Sequence, residues 1–396
     1  MSTAFHKLPV DVLPQIIENM TVEDTLSLKA SVVDNKDYAT VVQYCDERLS
    51  VAKYLDRKLG SGQQWLNSMK VCCCYISGSM SLEFFVPGSM VESSDCDIYV
   101  CSQTYMNAFM AHAETLGVEW ADSAEVVRRQ LCNGKGTVRM NASDLRDVYN
   151  SGKLQEVLER EISNPDSRIK SWWTGIVELI VTDKHVSMRR IAEAGWYGRQ
   201  GIMNIRYGEL RRGSATIPIQ LIRESGESEF SFGSVFRFHS TCVQSFIAPG
   251  IACHLYGKEA AKKRSHCWIG NVKNYVDDIH FPSRSTPTAM GSIGHLAPEW
   301  KKYEDRGFKY FSLAVYIGYQ DRSIGDSQCT TVEYSSEVEW SESQVPRPHH
   351  KIKSIRWKQY NNKRPELVQA SSTVSTHIQL PDSFVNQVNA RWTFQE

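Results

Sequence analysis

The sequence predicts an α/β (α+β) protein: a mixed sheet with flanking helices, a helical segment before it and a β-rich region after it. Three observations carry this expectation. Two runs of strand character, Val71 to Ile76 and Asp95 to Val100, are separated by a Gly-Ser turn, a short apolar segment and a polar turn. Directly after the second run, Met106, Phe109, Met110, Ala113 and Leu116 recur at helical spacing, a strand-to-helix crossover. Further on, Ile202 to Tyr207 and Thr216 to Ile222 alternate and are joined by Arg211-Arg212-Gly213-Ser214, a hairpin signal.

Composition narrows the function classes. With 396 residues, 41% of them hydrophobic, the chain can bury a large core and divide into two or three domains. Lys plus Arg and Asp plus Glu each number 45, so any contact with nucleic acid has to come from local basic patches. No apolar run approaches the ~18 residues of a membrane span. The first residues lack the apolar stretch of a signal peptide, and a cytoplasmic location is expected. The 11 cysteines are odd in number and scattered, and Cys72-Cys73-Cys74 cannot serve an ordinary disulfide framework; buried thiols are expected. Cys96 with Cys101, or His239 with Cys242, is too little for a zinc site.

Taken in order, residues 1–60 read as a helical N-terminal cap. Leu13, Ile16, Ile17 and Met20 make one apolar helix face, and Thr21 with Asp24 opens a second helix in the manner of a capping box. Leu8-Pro9 followed by an apolar helix resembles the opening of an F-box. Gly60-Ser61-Gly62 reads as a hinge into a core at 61–300. A charge-rich helical insertion is expected at about 123–164, with Asp144, Arg146, Asp147 and Lys153 among its solvated residues. Trp172 to Thr182 turns strand-like at its end. Ser234 to Tyr256 reads as helix broken near Pro249-Gly250, followed by the basic residues Lys258, Lys262, Lys263 and Arg264 with His266 and Trp268. Phe281 to Pro298 reads as loop. Residues 301–396 form a β-rich region, with alternation over Phe311 to Tyr319 and Thr331 to Trp340, a basic-aromatic run from Lys351 to Arg364 and a polar tail.

The candidate chemistry centres on Tyr75 to Val100. Period-two alternation puts Asp95 and Asp97 on one strand face and Cys96 and Ile98 on the other. Two carboxylates on one face repel each other unless they take up a proton or share a hard cation such as Mg2+. Gly78 and Ser79 form a turn that can offer backbone N–H groups and a hydroxyl to a phosphate or carbonyl oxygen. A Gly-Ser turn followed by Ser-Asp-x-Asp-aliphatic on a strand resembles the polymerase-beta-type nucleotidyltransferase superfamily. That resemblance implies a nucleotidyltransferase-like sheet, metal held by Asp95 and Asp97, and a third acid on a later strand. Gln220 stands where that acid is expected, and a neutral amide cannot supply the charge of a two-metal phosphoryl transfer.

The layout is also similar to the fungal arginine-containing cyclodipeptide synthases. The similarity implies aminoacyl-tRNA partners, one of them arginyl-tRNA, and a role in secondary metabolism with no cofactor beyond charged tRNAs and Mg. In that frame Asp95, Asp97, Ser79 and Gly78 are the catalytic candidates, and Gln220, Glu209, Glu224 and His239 the substrate-binding ones. A guanidinium substrate wants one carboxylate in bidentate contact, and Glu209 and Glu224 are both open to the role. His239 sits in an apolar run, where a satisfied core histidine competes with a general base. Lys258, Lys262, Lys263, Arg264 and Trp268 are the tRNA-binding candidates, against a reading as a solvated helix end. The alternatives are a Mg-dependent nucleotidyltransferase acting on RNA or a small molecule, and an F-box-like adaptor with an inactive core.

Overall fold

The computed structural model describes residues 12–33, 38–132, 202–224, 232–238, 240–267, 298–312, 320–334, 355–359 and 366–368, with a few single positions between 144 and 160 and Ile352. The chain forms two compact units, Met1–Cys96 with Val235–Asp382, and Asp97–Ser234 with Ser383–Glu396.

Five helices open the first unit: α1 (Val12–Glu18), α2 (Val22–Val32), α3 (Ala39–Leu49), α4 (Val51–Leu59) and α5 (Gly62–Val71). Thr21 caps α2 as expected, its hydroxyl accepting the Asp24 N–H at 3.1 Å. Leu13, Ile17, Val32, Val41 and Cys45 close a small core among the first three helices. Arg48 of α3 is buried, which pushes its pKa down to about 10. Its Nε donates to the Met20 carbonyl at 3.1 Å and its Nη2 to the Phe84 carbonyl at 2.7 Å, so the helices are tied to the motif region that follows.

Gly60-Ser61-Gly62 is a corner between two packed helices and not a linker. Gly60 (φ 73) and Ser61 (φ 52) reverse the chain, and the α-carbon of Gly62 then seats against the backbone of α4. The expected strand over Val71 to Ile76 is shortened for a similar reason. Helix α5 persists to Val71, and Cys73 takes a left-handed φ of 49, so that β1 spans only Tyr75–Ser77.

Helix α6 (Gly78–Phe85) follows, then β2 (Cys96–Val100), α7 (Gln103–Thr115), β3 (Val118–Trp120), α8 (Ser123–Cys132), β4 (Ile202–Arg212), β5 (Ala215–Glu224) and the short α9 (Gly233–Arg237). The crossover after β2 and the β4/β5 hairpin are as the sequence predicts, with Tyr207 opposite Gln220 in the hairpin register.

Ser234 to Tyr256 is not a broken helix. After α9 and a 3-10 turn at Thr241–Val243 come β6 (Ser245–Ala248) and β7 (Ile251–His254), paired antiparallel with Ala248 opposite Ile251. Pro249-Gly250 is their turn, with Gly250 at φ 84. All eight strand residues are buried, so no alternation marked them as strands. Helix α10 (Gly257–Ala261), β8 (Arg264–Cys267), α11 (Pro298–Glu304), β9 (Lys309–Ser312), β10 (Gln320–Ser323), β11 (Thr330–Glu333), β12 (Arg356–Gln359) and β13 (Glu366–Val368) complete the described elements.

The fold is mixed α/β. Among the described residues, eight strands share one sheet in the hydrogen-bonded order β11-β7-β6-β1-β2-β5-β4-β3. A three-stranded sheet, β10-β12-β13, and the parallel pair β8/β9 stand beside it. No helix among the described residues is long and apolar enough to cross a membrane. The cysteines whose side chains are described, from Cys45 to Cys329, are buried free thiols. Trp172 to Thr182, the loop at 281–297 and most of the insertion beyond Cys132 lie outside the described residues.

Candidate active site

The site begins at the end of β1. Ser77 is extended (φ −140), and the chain must then turn into α6 at once; Gly78 does so at φ 70, a conformation cheap only for glycine. Ser79 follows on the first turn of α6 and is 2% exposed. The helix GSMSLEFF is buried almost all round because its apolar residues leave no polar stripe. Beyond it, Pro87 and Gly88 (φ 78) start the polar turn, which the Glu83 carboxylate organises by accepting the N–H groups of Ser89 at 2.7 Å and Met90 at 2.9 Å. The long spacer between Ser79 and Asp95 is therefore a helix plus a pinned loop.

Asp95 and Asp97 are both half-buried, whereas Cys96 and Ile98 are fully buried, so the alternation expected along this strand is present. Gln220 on β5 is half-buried. Among the described residues, no group of three or more His, Cys, Asp or Glu side chains is placed to hold a metal ion.

Ser79 has partners that the sequence did not reveal. Its hydroxyl lies 3.2 Å from the Tyr303 hydroxyl and accepts the Arg306 Nη1–H at 3.2 Å. Arg306 also donates from Nη1 to the Ser89 carbonyl at 2.6 Å and from Nη2 to the Ser94 hydroxyl at 3.2 Å. Its guanidinium lies 5.0 Å from the centre of the Tyr303 ring. One arginine thus clasps the Gly-Ser turn, the loop and the residue just before Asp95. Pro298 and Gly307 are start and stop signals that could have located α11. Nothing in the pattern marks Arg306 as the residue that turns inward.

The sequence matches no family model and no curated protein, and the fold matches no solved structure. Glu209 accepts the Arg129 Nη2–H at 2.7 Å, beside Glu125, whose carboxyl Arg128 and Arg129 hold at about 2. Glu224 is buried and accepts the Ser234 N–H at 2.6 Å at the start of α9. Both expected guanidinium readers are thus engaged within their own unit, one by an arginine of the chain and the other by a backbone amide.

The basic residues meet different partners. Lys258 is exposed, and Lys262 and Arg264 lie 4.0 and 3.9 Å from the Glu259 carboxylate. Lys263, at φ 52, turns its Nζ to the Arg306 carbonyl at 3.0 Å. His239 and Trp268 lie outside the described residues. The buried His254 accepts the Tyr256 N–H on Nδ1 and meets the Cys242 carbonyl through Nε2, each at 3.1 Å. Burial lowers its pKa to about 4, so it is a neutral structural residue.

Proposed function

We propose that the chain is an aminoacyl-tRNA-dependent synthase that joins arginine to a second amino acid as a cyclic dipeptide. The observation that carries this reading is in the sequence: a Gly-Ser turn, Gly78-Ser79, followed by the carboxylates Asp95 and Asp97, each half-buried, with Gln220 standing where a third acid is expected. An acid pair without a third carboxylate suits acyl transfer better than two-metal phosphoryl transfer, because aminolysis of an ester needs a base and positioning rather than two bound cations.

In the first step the α-amino nitrogen of one aminoacyl ester attacks the carbonyl carbon of the other. The new amide bond forms as the ester C–O bond breaks, and the first tRNA leaves with its terminal hydroxyl reprotonated. The remaining α-amine then attacks the second ester, closes the ring and releases the second tRNA. Asp95 and Asp97 accept the protons that the attacking ammonium groups must lose, and the donors around Ser79 face the oxyanion of each tetrahedral intermediate. When bound at the two aspartates, Mg2+ supplies positive charge for substrate oxygens.

The test is a reconstituted incubation of the purified protein with arginine, other amino acids, tRNA, ATP and synthetases, analysed by mass spectrometry. A cyclic product that disappears when RNase is added first supports the reading; a product that survives RNase contradicts it. The Asp-x-Asp pair also favours a second reading, a Mg-dependent nucleotidyltransferase. Metal-dependent incorporation of a labelled nucleotide by the wild type would select that one. The adaptor reading has less support, because the N-terminal helices are bonded into the first unit through Arg48 and through Glu23, which accepts the Thr330 hydroxyl at 2.6 Å.

A further inference from the structure

We infer that Asn204, Arg206 and Arg223 form a binding site for a small carboxylate with a hydrogen-bond donor on the neighbouring carbon, as in a 2-amino or 2-hydroxy acid. All three belong to the β4/β5 hairpin, within the second unit. Asn204 stands opposite Arg223 and Arg206 opposite Leu221, in a register that runs without a shift from Asn204 to Arg212. Opposite residues share a face and side chains alternate along each strand, so the three occupy one face of the hairpin and Gln220 the other.

Each of the three has a buried polar atom with no hydrogen-bond partner. Asn204 is fully buried, and its Nδ2 donates to Gln103 Oε1 on α7 at 3.3 Å; Gln103 Nε2 in turn donates to Asn107 Oδ1 at 2.8 Å. This row holds one end of the Asn204 amide and leaves Oδ1 without a donor. A guanidinium across the strand favours oxygen over NH2 at that free end. Arg206 donates from Nη1 to the Ser123 hydroxyl at 3.3 Å and from Nη2 to the Asp144 carboxylate, but its Nε–H has no acceptor. The Arg223 Nε–H has none either, and burial lowers the Arg223 pKa with no carboxylate among the described residues to offset it. Asp144 thus balances Arg206, and Arg223 is the charge left over.

One unbalanced guanidinium calls for one anionic group, and a buried acceptor on the same face calls for a donor. A carboxylate meets a guanidinium in plane through two hydrogen bonds, and an amine or hydroxyl on the next carbon supplies the hydrogen that Oδ1 lacks. Phosphate fits less well, because its unprotonated oxygens would be set against Oδ1. Arg223, Gln103 and Asn107 are only half-buried, so the row reaches solvent above the buried Asn204.

The site does not rest on the proposed reaction, since an aminoacyl ester and a cyclic dipeptide both lack the free carboxylate. In the test, the common L-amino acids and L-lactate are added one at a time to the whole chain while melting temperatures are recorded, and the strongest stabiliser is titrated calorimetrically. At least one is expected to bind saturably. Its amide, which lacks the carboxylate, and its counterpart with hydrogen in place of the amine or hydroxyl should each bind about tenfold more weakly or worse. Arg223→Gln should weaken the parent ligand by a similar factor, and in Asn204→Leu the parent and its counterpart should bind alike. Arg223 is half-buried, so Arg223→Gln keeps the test valid if Asn204→Leu fails to fold. An amino acid as the best ligand assigns the donor to an amine, and lactate assigns it to a hydroxyl. Absence of saturable binding, wild-type affinity in folded Arg223→Gln, or a counterpart that binds as tightly as the parent overturns the proposal. Absence of cyclic dipeptide with this binding intact would remove the proposed reaction and leave the site.

Discussion

Asp95 and Asp97 lie at the start of β2, where the chain carries two carboxylates two residues apart. Their shared face followed from the period of two, and both are half-buried with Cys96 and Ile98 turned into the core. Asp95→Asn and Asp97→Asn are each expected to abolish product formation while leaving the melting temperature unchanged or slightly raised, because one of two repelling charges is removed. Loss of folding in both variants would make the carboxylates structural. His254 gives a prediction in pH. Its folded pKa of about 4 lies below the ordinary value near 6.5, so the unfolded chain binds the extra proton first. Its contribution is complete above pH ~6.5 and is lost as pH falls towards 4, by about 3 kcal/mol in all at about 1.4 kcal/mol per unit. In urea unfolding from pH 7.5 to 4.5, the wild type should therefore lose more stability than His254→Gln; parallel curves would contradict the assignment. Arg306 was not legible in the same way. An inward arginine in a turn has no periodicity, and its partners, Ser79, Ser89 and Ser94, lie over two hundred residues away in sequence.

Elements were legible where one face meets water and obscure where both are covered. The β4/β5 hairpin alternates and carries Gly213 at its turn, and α2 and α7 start at hydroxyl caps, Thr21 and Ser102. The β6/β7 hairpin has every strand residue buried, and a continuous apolar run of that length fits a helix as well as two strands. Its Pro249-Gly250 pair, which reads as a helix break, is the turn between the two strands. The α4–α5 corner was misread because glycine serves both flexible and crowded backbone. A β-carbon on Gly62 would lie 2.0 Å from the Ala52 carbonyl oxygen and 2.5 Å from the Asp56 nitrogen, which are helix backbone and cannot step aside. Gly62→Ala should therefore force α4 and α5 apart and cost about 1–3 kcal/mol or more in denaturant unfolding. A hinge glycine would tolerate the change, and an unaltered midpoint would restore that reading.

At the scale of the whole molecule, the balance of 45 basic and 45 acidic residues leaves no long-range field to hold tRNA, so binding has to be local. The basic run chosen from sequence is partly spent: Lys263 is bonded to the Arg306 carbonyl, and Glu259 lies beside Lys262 and Arg264. Tertiary folding decides which charges stay outward, and no local pattern encodes that. The proposed acyl transfer asks for a different property, a base and positioned esters without a third acid. The most direct measurement starts from purified tRNA charged with labelled arginine together with a second charged tRNA, without ATP or free amino acids. The wild type should move the label from the ester into a small cyclic product and release two tRNAs for each product formed, and Asp97→Asn should not. Label that stays on the tRNA with the wild type, while a labelled triphosphate is incorporated in the presence of Mg2+, would contradict the account.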